Sequence, residues 1–432
     1  MTPRQKLTIF LIVIFVVGFF AFGFMLRKKL SRPITLEIWG LEEKTETFSP
    51  LFDSFKANNP HISINYIEKS ANNYHEDLLK AFALDKSPDI FMVLGSWLPY
   101  YRENIDPLDL KKDKELNPLL IDKLYPEAIK SELLENDFLL GMPLYVDTLA
   151  LYCNRDIFNY HNIVLPPQAW EEIAKLVPKL RKLNPQGQIT RAAIALGTSQ
   201  NVNWETDIVS VLMMQQGAKI VDKENKKAVF DESLIVGEKR TNPGEEALKF
   251  YLQFANPRSP NYTWSDSFEN SILAFAKGKT AMMIGYNRAK KLINEYAPDL
   301  RYEISFLPNF AGNLKINYAR TMNFVVSKRS NYKKEAWQLL KFVNQKENAE
   351  YYFLKTKNPP SRLDIAQNYI NDRESGVFVK QIQTGRNWHQ ADFIKISQIF
   401  REMIDSAVIR NIAPAQAVSE AVKRINLIWQ TI

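Results

Sequence analysis

The sequence predicts an α/β protein of two interleaved α/β lobes around a central cleft. Three observations lead to this prediction. The 432 residues exceed what one hydrophobic core usually organises. Strand and helix patterns alternate from Ile34 onward, as in a parallel sheet covered by helices. No internal repeat or long linker divides the chain, so the lobes are expected to be interleaved and not joined in series.

The first 33 residues are predicted to hold one N-terminal transmembrane helix or a signal segment. Leu7 to Leu26 is an uncharged run of 20 residues, which is about the length needed to span a bilayer. An uncleaved anchor is favoured because the sequence stays apolar without a break through Leu26. The basic flank after the run is stronger than the one before it, which opposes export under the positive-inside rule. The rest of the chain favours export.

The net charge of +8 comes mostly from this N-terminal segment. Its six positive charges are Arg4, Lys6, Arg27, Lys28, Lys29 and Arg32. The remaining chain carries a net charge of only +2. Basic residues beside an apolar run indicate a membrane surface, and no basic stripe indicates nucleic-acid binding.

The alternation begins with a strand at Ile34 to Gly40, and further strands are predicted at Ile62 to Tyr66 and Ile90 to Gly95. Helices lie between them, since apolar residues recur at helical spacing from Phe48 to Phe55 and around Phe82. Ligands of parallel sheets bind beyond the carboxyl ends of the strands. Two of the chain's eight tryptophans, Trp39 and Trp97, are at such ends.

The stretch from Pro143 to Phe158 has the pattern of a segment that leaves one lobe and enters the other. It begins with polar groups at Tyr145 and Asp147 and continues as the apolar run Leu149 to Cys153. Cys153 is the only cysteine, which excludes an internal disulfide and indicates a small buried hydrophobe. Thr280 to Tyr286 is predicted to be a second crossing strand.

The remaining elements follow from helical and alternating patterns. Helices are predicted after Pro166, over Trp204 to Gln216 and through most of the last third of the chain. A small hairpin is predicted at Lys219 to Phe230, and later strands at Tyr302 to Leu307 and Asn323 to Ser327.

The sequence offers no enzyme motif. The four histidines lack metal-ligand spacing, and no phosphate-binding loop or serine-nucleophile motif occurs. We therefore predict no catalytic residue, no metal and no cofactor. A glycoside hydrolase with two distant carboxylates stays open as an alternative, because such acids leave no local pattern.

Several segments together resemble the family 1 extracellular solute-binding proteins of ABC importers, the maltose-binding-protein-like sugar binders. The matching segments are I-T-L-E-I-W-G from Ile34, P-D-I-F-M-V from Pro88, D-T-L-A-L-Y-C-N-R-D-I-F from Asp147, P-P-Q-A-W-E-E-I from Pro166, A-F-A-K-G-K-T-A-M-M-I-G-Y from Ala274 and V-V-S-K from Val325. Their order and spacing carry the resemblance. The cysteine that anchors many bacterial members as lipoproteins is missing here.

The resemblance implies a type II periplasmic-binding-protein-like fold with crossings near Asp147, Gly285 and Lys328. We assign 34–147 with 286–328 to one lobe and 148–285 with 329–432 to the other. The expected partners are a carbohydrate ligand and the permease subunits of an ABC transporter, with the protein acting as a monomer at the extracytoplasmic face of the membrane. It would be secreted if the N-terminal segment is cleaved. A peptide, a polyamine or another small polar solute is the alternative ligand.

Sugar binding requires flat rings for the pyranose faces and polar side chains for the hydroxyls. The candidates lie at strand ends, at crossings and at the positions that the resemblance marks. They are Trp39, Glu42, Ser96, Trp97, Tyr145, Asp147, Trp204, Trp264, Tyr286, Arg288 and Trp388. Core packing is the competing interpretation for the tryptophans, and a hinge cap is the competing interpretation for Asp147.

Overall fold

A computed structural model describes residues 33–236 and 239–430. Within them, no helix is both long and apolar enough to cross a bilayer. The predicted membrane segment Leu7 to Leu26 lies outside the described residues.

The first sheet has six strands. They are Ile34–Leu41, Ile62–Lys69, Ile90–Leu94, Met142–Thr148, Asn317–Val326 and Gly385–Arg386. Ile34–Leu41 lies in the middle of three parallel strands, as the alternation predicted. The long strand Asn317–Val326 runs antiparallel to Ile90–Leu94 and to Met142–Thr148.

The second sheet has five strands. They are Ala150–Asn154, Lys182–Leu183, Ile189–Ile194, Thr280–Gly285 and Tyr302–Phe306. Ala150–Asn154 is antiparallel to both of its neighbours, and Thr280–Gly285 is parallel to Ile189–Ile194. Every residue of Ala150–Asn154 and of Thr280–Gly285 is buried, which explains their unbroken apolar sequences.

Helices cover both sheets, and short strand pairs complete the fold. Around the first sheet the helices are Thr45–Asn58, Tyr74–Ala83, Leu98–Tyr101, Pro118–Leu124, Glu127–Leu133, Lys333–Val343, Lys346–Thr356 and Leu363–Ala366. Around the second they are Arg155–Tyr160, Trp170–Leu180, Glu205–Gln215, Pro243–Leu252, Ser271–Ala276, Ala289–Tyr296, Phe393–Val408 and Pro414–Trp429, and Gly376–Gln381 lies between the two sheets. The short strands are Leu108–Asp109, Leu134–Glu135, Phe138–Leu139, Val221–Asp222, Lys227–Ala228, Leu234–Val236 and Lys239–Thr241.

Two separate hydrophobic cores define the two lobes. The core of the first lobe draws on residues 36–146 and 319–382, and that of the second on residues 149–318 and 378–428. The chain therefore passes between lobes at 146–149, at 318–319 and around 378–388.

This division differs from the predicted one at two of the three crossings. Thr280–Gly285 stays within the second sheet, and Ala289 and Ile293 of the following helix pack in the second core. The next crossing lies inside the strand Asn317–Val326, well before Lys328. Helix Lys333–Val343 consequently packs in the first core, although residues after 328 were predicted to belong to the second lobe.

The single cysteine offers a test of the second core. Cys153 has no exposed surface, and burial raises the pKa of its thiol. We expect a thiol reagent to leave the native protein unlabelled and to label one group per chain when denaturant unfolds the second lobe. Tryptophan fluorescence measured in parallel shows the unfolding transition, and rapid labelling without denaturant would contradict this packing.

Candidate ligand site between the lobes

A polar cluster built on Arg320, in the crossing strand Asn317–Val326, lies where the two lobes join. Its Nη2 atom donates to Oδ2 of Asp207, 3.0 Å away on a helix of the second lobe. The Tyr286 hydroxyl donates to the same oxygen at 2.7 Å, and the guanidinium carbon of Arg320 lies 5.1 Å from the Tyr286 ring centre. A cation, a carboxylate and an aromatic ring are thus fixed at the point where the lobes join. Tyr286 itself is fully buried in the second core, so its prediction as a ligand-contacting ring is corrected.

Glu132 brings a second carboxyl group to this region from the first lobe. It is 2% exposed, and its Oε2 accepts a hydrogen bond of 2.5 Å from the Thr321 hydroxyl. A Cβ on Gly95 would lie only 1.7 Å from that oxygen, so a side chain at position 95 would exclude Glu132 from this place. Burial raises the pKa of Glu132 to about 8, against the opposing effects of Thr321 and Lys223. Nothing in the local sequence of its helix marks this residue, and sequence reasoning missed it.

A cavity of about 470 Å³ extends from Glu132 between the two lobes. The first lobe contributes Tyr100, Arg102, Glu132 and Glu135 to its wall. The second lobe contributes Lys223, His389, Asp392, Lys395 and Trp429. Its volume is within the range of roughly 300–1,000 Å³ typical of small-molecule sites.

Polar contacts close one edge of this cavity. The backbone oxygen of Ser131, in the first lobe, accepts hydrogen bonds from Lys223 Nζ at 3.1 Å and from His389 Nε2 at 2.7 Å. Burial lowers the pKa of His389, which favours the neutral ring. Elsewhere between the lobes, Arg288 of the second lobe and Glu42 of the first form an ion pair of 2.5 Å in which both side chains are 40% exposed. Both predicted residues therefore lie where the lobes meet.

Asp147 has the contacts of a hinge cap. Its Oδ1 accepts the backbone N–H groups of Thr148 at 2.9 Å and of Asn287 at 3.1 Å, which ties a crossing strand to the second lobe. Burial raises its pKa to about 7, and the backbone donors limit the rise. Direct ligand contact by Asp147 stays a prediction.

Trp204 is half-buried beside the Arg320 cluster. Its backbone has the left-handed φ of 61°, and the edge of its ring meets Tyr286 with centroids 5.3 Å apart. A Cβ on Gly285 would lie 3.1 Å from the Trp204 ring, so glycine permits this close approach. Among the predicted tryptophans, Trp204 best combines partial exposure with a position beside polar cleft residues.

Other predicted residues lie on the first-lobe side. Trp97 and Ser96 are half-buried in the turn after Ile90–Leu94, and Trp97 stacks on Phe393. Tyr145 is half-buried and stacks on Tyr352 at 6.5 Å. Trp39 is only 8% exposed and packs in the first core, so its position at a strand end does not present it to the cleft.

The predictions that Trp264 and Trp388 contact the ligand require correction, because the structure places both side chains in the second core. Trp264 is fully buried, and its indole N–H is shared between Thr198 and Asn201. Trp388 is 3% exposed, and its indole N–H donates to Ser210. Trp264 was predicted to be exposed because its neighbours in sequence are polar. The ring points inward instead, because its indole N–H finds hydrogen-bond partners inside the protein.

No cluster of three or more potential metal-ligating side chains occurs between residues 33 and 430, leaving out 237 and 238. The charges of the cleft are arranged instead in pairs and hydrogen bonds. Such groups can satisfy the hydroxyls or charges of a polar ligand.

The buried carboxyl groups predict a specific pH dependence of stability. The pKa of Glu132 rises from its ordinary value of 4.5 to about 8 on folding, so the folded state holds a proton that the unfolded state has lost. Its contribution to stability is therefore lost as pH rises from about 4.5 to 8. Glu132→Gln should flatten this decline in urea-unfolding free energy by a few kcal/mol, at about 1.4 kcal/mol per pKa unit.

Thr321→Val provides the reciprocal control. It removes a hydrogen bond that lowers the pKa of Glu132, so the decline should extend to higher pH. A Glu132→Gln variant with unchanged pH dependence would contradict this assignment.

Several solved structures share this fold. A cyclic α-maltosyl-1,6-maltose-binding protein from Arthrobacter globiformis superimposes with a TM-score of 0.76 at 16% identity, covering 93% of this chain and all of that one. UgpB from Mycobacterium tuberculosis, solved with glycerophosphocholine, superimposes with a TM-score of 0.71 at 14% identity, covering 92% and 98%. These similarities confirm the periplasmic-binding-protein-like fold.

Sequence comparison adds the family. A Brucella abortus (strain 2308) protein that is named as a binding protein is 24% identical over 351 residues, covering 78% of this chain and 79% of its own length. The family model for bacterial extracellular solute-binding proteins matches residues 39–350. This match spans most of the chain, which therefore belongs to the bacterial extracellular solute-binding proteins.

Proposed function

We propose that the protein captures a carbohydrate between its lobes and delivers it to the permease of an ABC transporter. The observation that carries this proposal is the cavity between the lobes, whose wall joins aromatic rings and hydrogen-bonding groups from both lobes. Since membership of a solute-binding family makes the chain a binding protein and not an enzyme, the glycoside hydrolase alternative is withdrawn.

The chemistry of the cavity wall suits a polyhydroxylated ligand. Glu132 and Asp392 supply carboxyl groups, and Lys223 and Arg102 supply donors. The rings of Tyr100 and Trp429 offer flat apolar surface of the kind that packs against a sugar face. The maltosyl-maltose-binding neighbour supports this choice of ligand class.

Binding is proposed to favour the closed arrangement of the lobes. A ligand that contacts both walls binds the closed state more tightly than the open state, and this difference shifts the population toward closure. The three crossings provide the hinge. The uncharged run Leu7 to Leu26 is proposed to hold the protein at the extracytoplasmic face of the membrane, beside the permease.

Another small polar solute is the second candidate. The glycerophosphocholine-bound neighbour has the same fold, and the cavity wall carries the cations Arg102, Lys223 and Lys395, which could receive a phosphate or carboxylate. The two candidate ligands differ in charge: the carbohydrate is neutral, whereas the alternative solute carries a phosphate or carboxylate.

A ligand screen tests the proposed function directly. We expect neutral oligosaccharides to raise the melting temperature of residues 33–432, because a ligand that binds only the folded state stabilises it. Calorimetry should confirm binding, and the sugar should be recovered unchanged. If glycerophosphodiesters or peptides shift the melting temperature and no sugar does, the carbohydrate assignment is wrong.

A matched pair of tryptophan variants tests the site. Trp204→Ala should weaken sugar binding roughly tenfold with little loss of stability, because a half-exposed ring beside the cleft is removed. Trp264→Ala should cost about 3–5 kcal/mol of unfolding free energy, because it empties a fully buried site. Calorimetry and urea unfolding on both variants separate the effects, and equal binding by the Trp204 variant and the unchanged protein would remove Trp204 from the site.

A further inference from the structure

The backbone of Phe393 lies in the second lobe, and its side chain packs against the first lobe. It is the first residue of helix Phe393–Val408, whose Ile396 and Phe400 are buried in the second core. Its own ring packs against the core of the first lobe. Phe393 therefore reaches across the cleft.

The first lobe receives this ring in an aromatic socket, formed by Trp97, His75 and Tyr100. Trp97 stacks on Phe393 with centroids 4.6 Å apart and planes 19° apart. His75 and Tyr100 present their edges at 5.4 and 6.0 Å, with interplanar angles of 89° and 77°. Offset stacking and edge-to-face packing are the preferred arrangements of aromatic pairs.

Both sides of this contact are held in place independently of each other. The carboxylate of Asp392 accepts the N–H groups of Ile394 and Lys395, at 3.1 and 3.0 Å, and so fixes the helix start that carries Phe393. In the socket, Nδ1 of His75 lies 2.6 Å from the Tyr101 hydroxyl. Each side of the contact is therefore held by hydrogen bonds within its own lobe.

The aromatic contact differs in kind from the polar contacts between the lobes at Ser131 and at Arg288. When the lobes separate, water can replace the hydrogen bonds at Ser131 and can solvate the exposed pair of Arg288 and Glu42 at little net cost. Separation would instead expose the apolar faces of Phe393 and Trp97 to water. The socket contact thus opposes opening more strongly than the polar edges do.

We propose that Phe393 is a clasp that holds the lobes together in the absence of ligand. It raises the closed population of the free protein. Because the apparent ligand affinity is proportional to the fraction of the protein in the binding-competent closed state, the affinity rises as well. One face of Trp97 is occupied by Phe393 in this arrangement, so Trp97 acts on affinity through closure. The proposal rests on the hinge closure of the proposed function and does not depend on the ligand being a sugar.

The test measures the distance between lobes without any ligand. Spin labels on cysteines introduced at the exposed residues Lys56 and Asp299 report the lobe arrangement, and the buried Cys153 stays unlabelled. Phe393→Ala should increase the open population of the full chain about tenfold relative to the closed one. An unchanged distance distribution would overturn the proposal.

Phe268→Ala is the matched control. Phe268 is also half-buried and stacks on a tryptophan, Trp264, at 4.7 Å and 11°, but both rings belong to the second lobe. This variant should lose stability and keep the distances of the unchanged protein. If it opens the lobes as much as Phe393→Ala does, general destabilisation is the cause and the clasp is refuted.

A variant on the opposite side keeps the test valid if Phe393→Ala folds poorly. Trp97→Ala should open the lobes similarly, and the double variant should open them no further than either single one, because both remove the same contact. Additive effects would show that the two rings act separately and would overturn the proposal. Because no ligand is used, a failed sugar screen and a failed clasp test are distinguishable.

Discussion

The structure depends on the pairing of two crossing strands, Met142–Thr148 and Asn317–Val326. Asn317–Val326 begins in the second core and ends in the first, whereas Met142–Thr148 lies in the first core and leads into the second at Leu149. The hydrogen bonds between these strands therefore lie where the two lobes join. A strand cannot leave its ladder without exposing backbone groups that need partners. Under the proposed hinge closure, rotation of the lobes is therefore absorbed beside this ladder, and the floor of the cleft stays constant while its edges separate.

Polar side chains keep the two cores apart at this point. Asn317 donates to the Leu149 carbonyl and to Gln381, and Gln381 donates to the same carbonyl. Asp147 accepts backbone N–H groups on the other side. Burying a polar group costs free energy unless the group is hydrogen-bonded, so each of these side chains must keep its hydrogen-bond partners. The two cores cannot merge into one, and the cleft between them persists.

The sequence predicted the elements more accurately than their connection between lobes. Alternation correctly located Ile34–Leu41, Ile62–Lys69 and Ile90–Leu94, because burial on alternate or both faces leaves a local pattern. Thr280–Gly285 was predicted to be a crossing strand because it is apolar and ends in glycine, and because the family resemblance implied a crossing near Gly285. The residues that pair with it and keep it in the second sheet are 88 or more residues away in sequence, so no local signal could reveal them.

The same limit applies to the site. Glu132 has an ordinary helical context, and only the folded chain brings it to Thr321 and Gly95. For the tryptophans, a strand end or polar loop fixes the backbone position but leaves the direction of the ring open. Trp264 found hydrogen-bond partners inside, whereas Trp204 adopted a left-handed backbone that leaves it half-exposed. Membership of a family thus predicts where a cleft forms, and the side-chain partners decide which rings can face a ligand.

Under the proposed clasp, Trp97 serves closure in place of direct ligand binding, because Phe393 occupies one face of its ring. A ligand and Phe393 cannot pack on the same face at the same time, so stacking there would require the helix start at Asp392 to withdraw. Contacts elsewhere in the cavity carry no such cost, because the walls around Glu132 and Lys223 are open to a ligand while the ring pair stays intact. Under the two proposals, affinity is divided between two parts of the cleft: the cavity wall selects the ligand, and the aromatic contact sets the fraction of the protein that is closed.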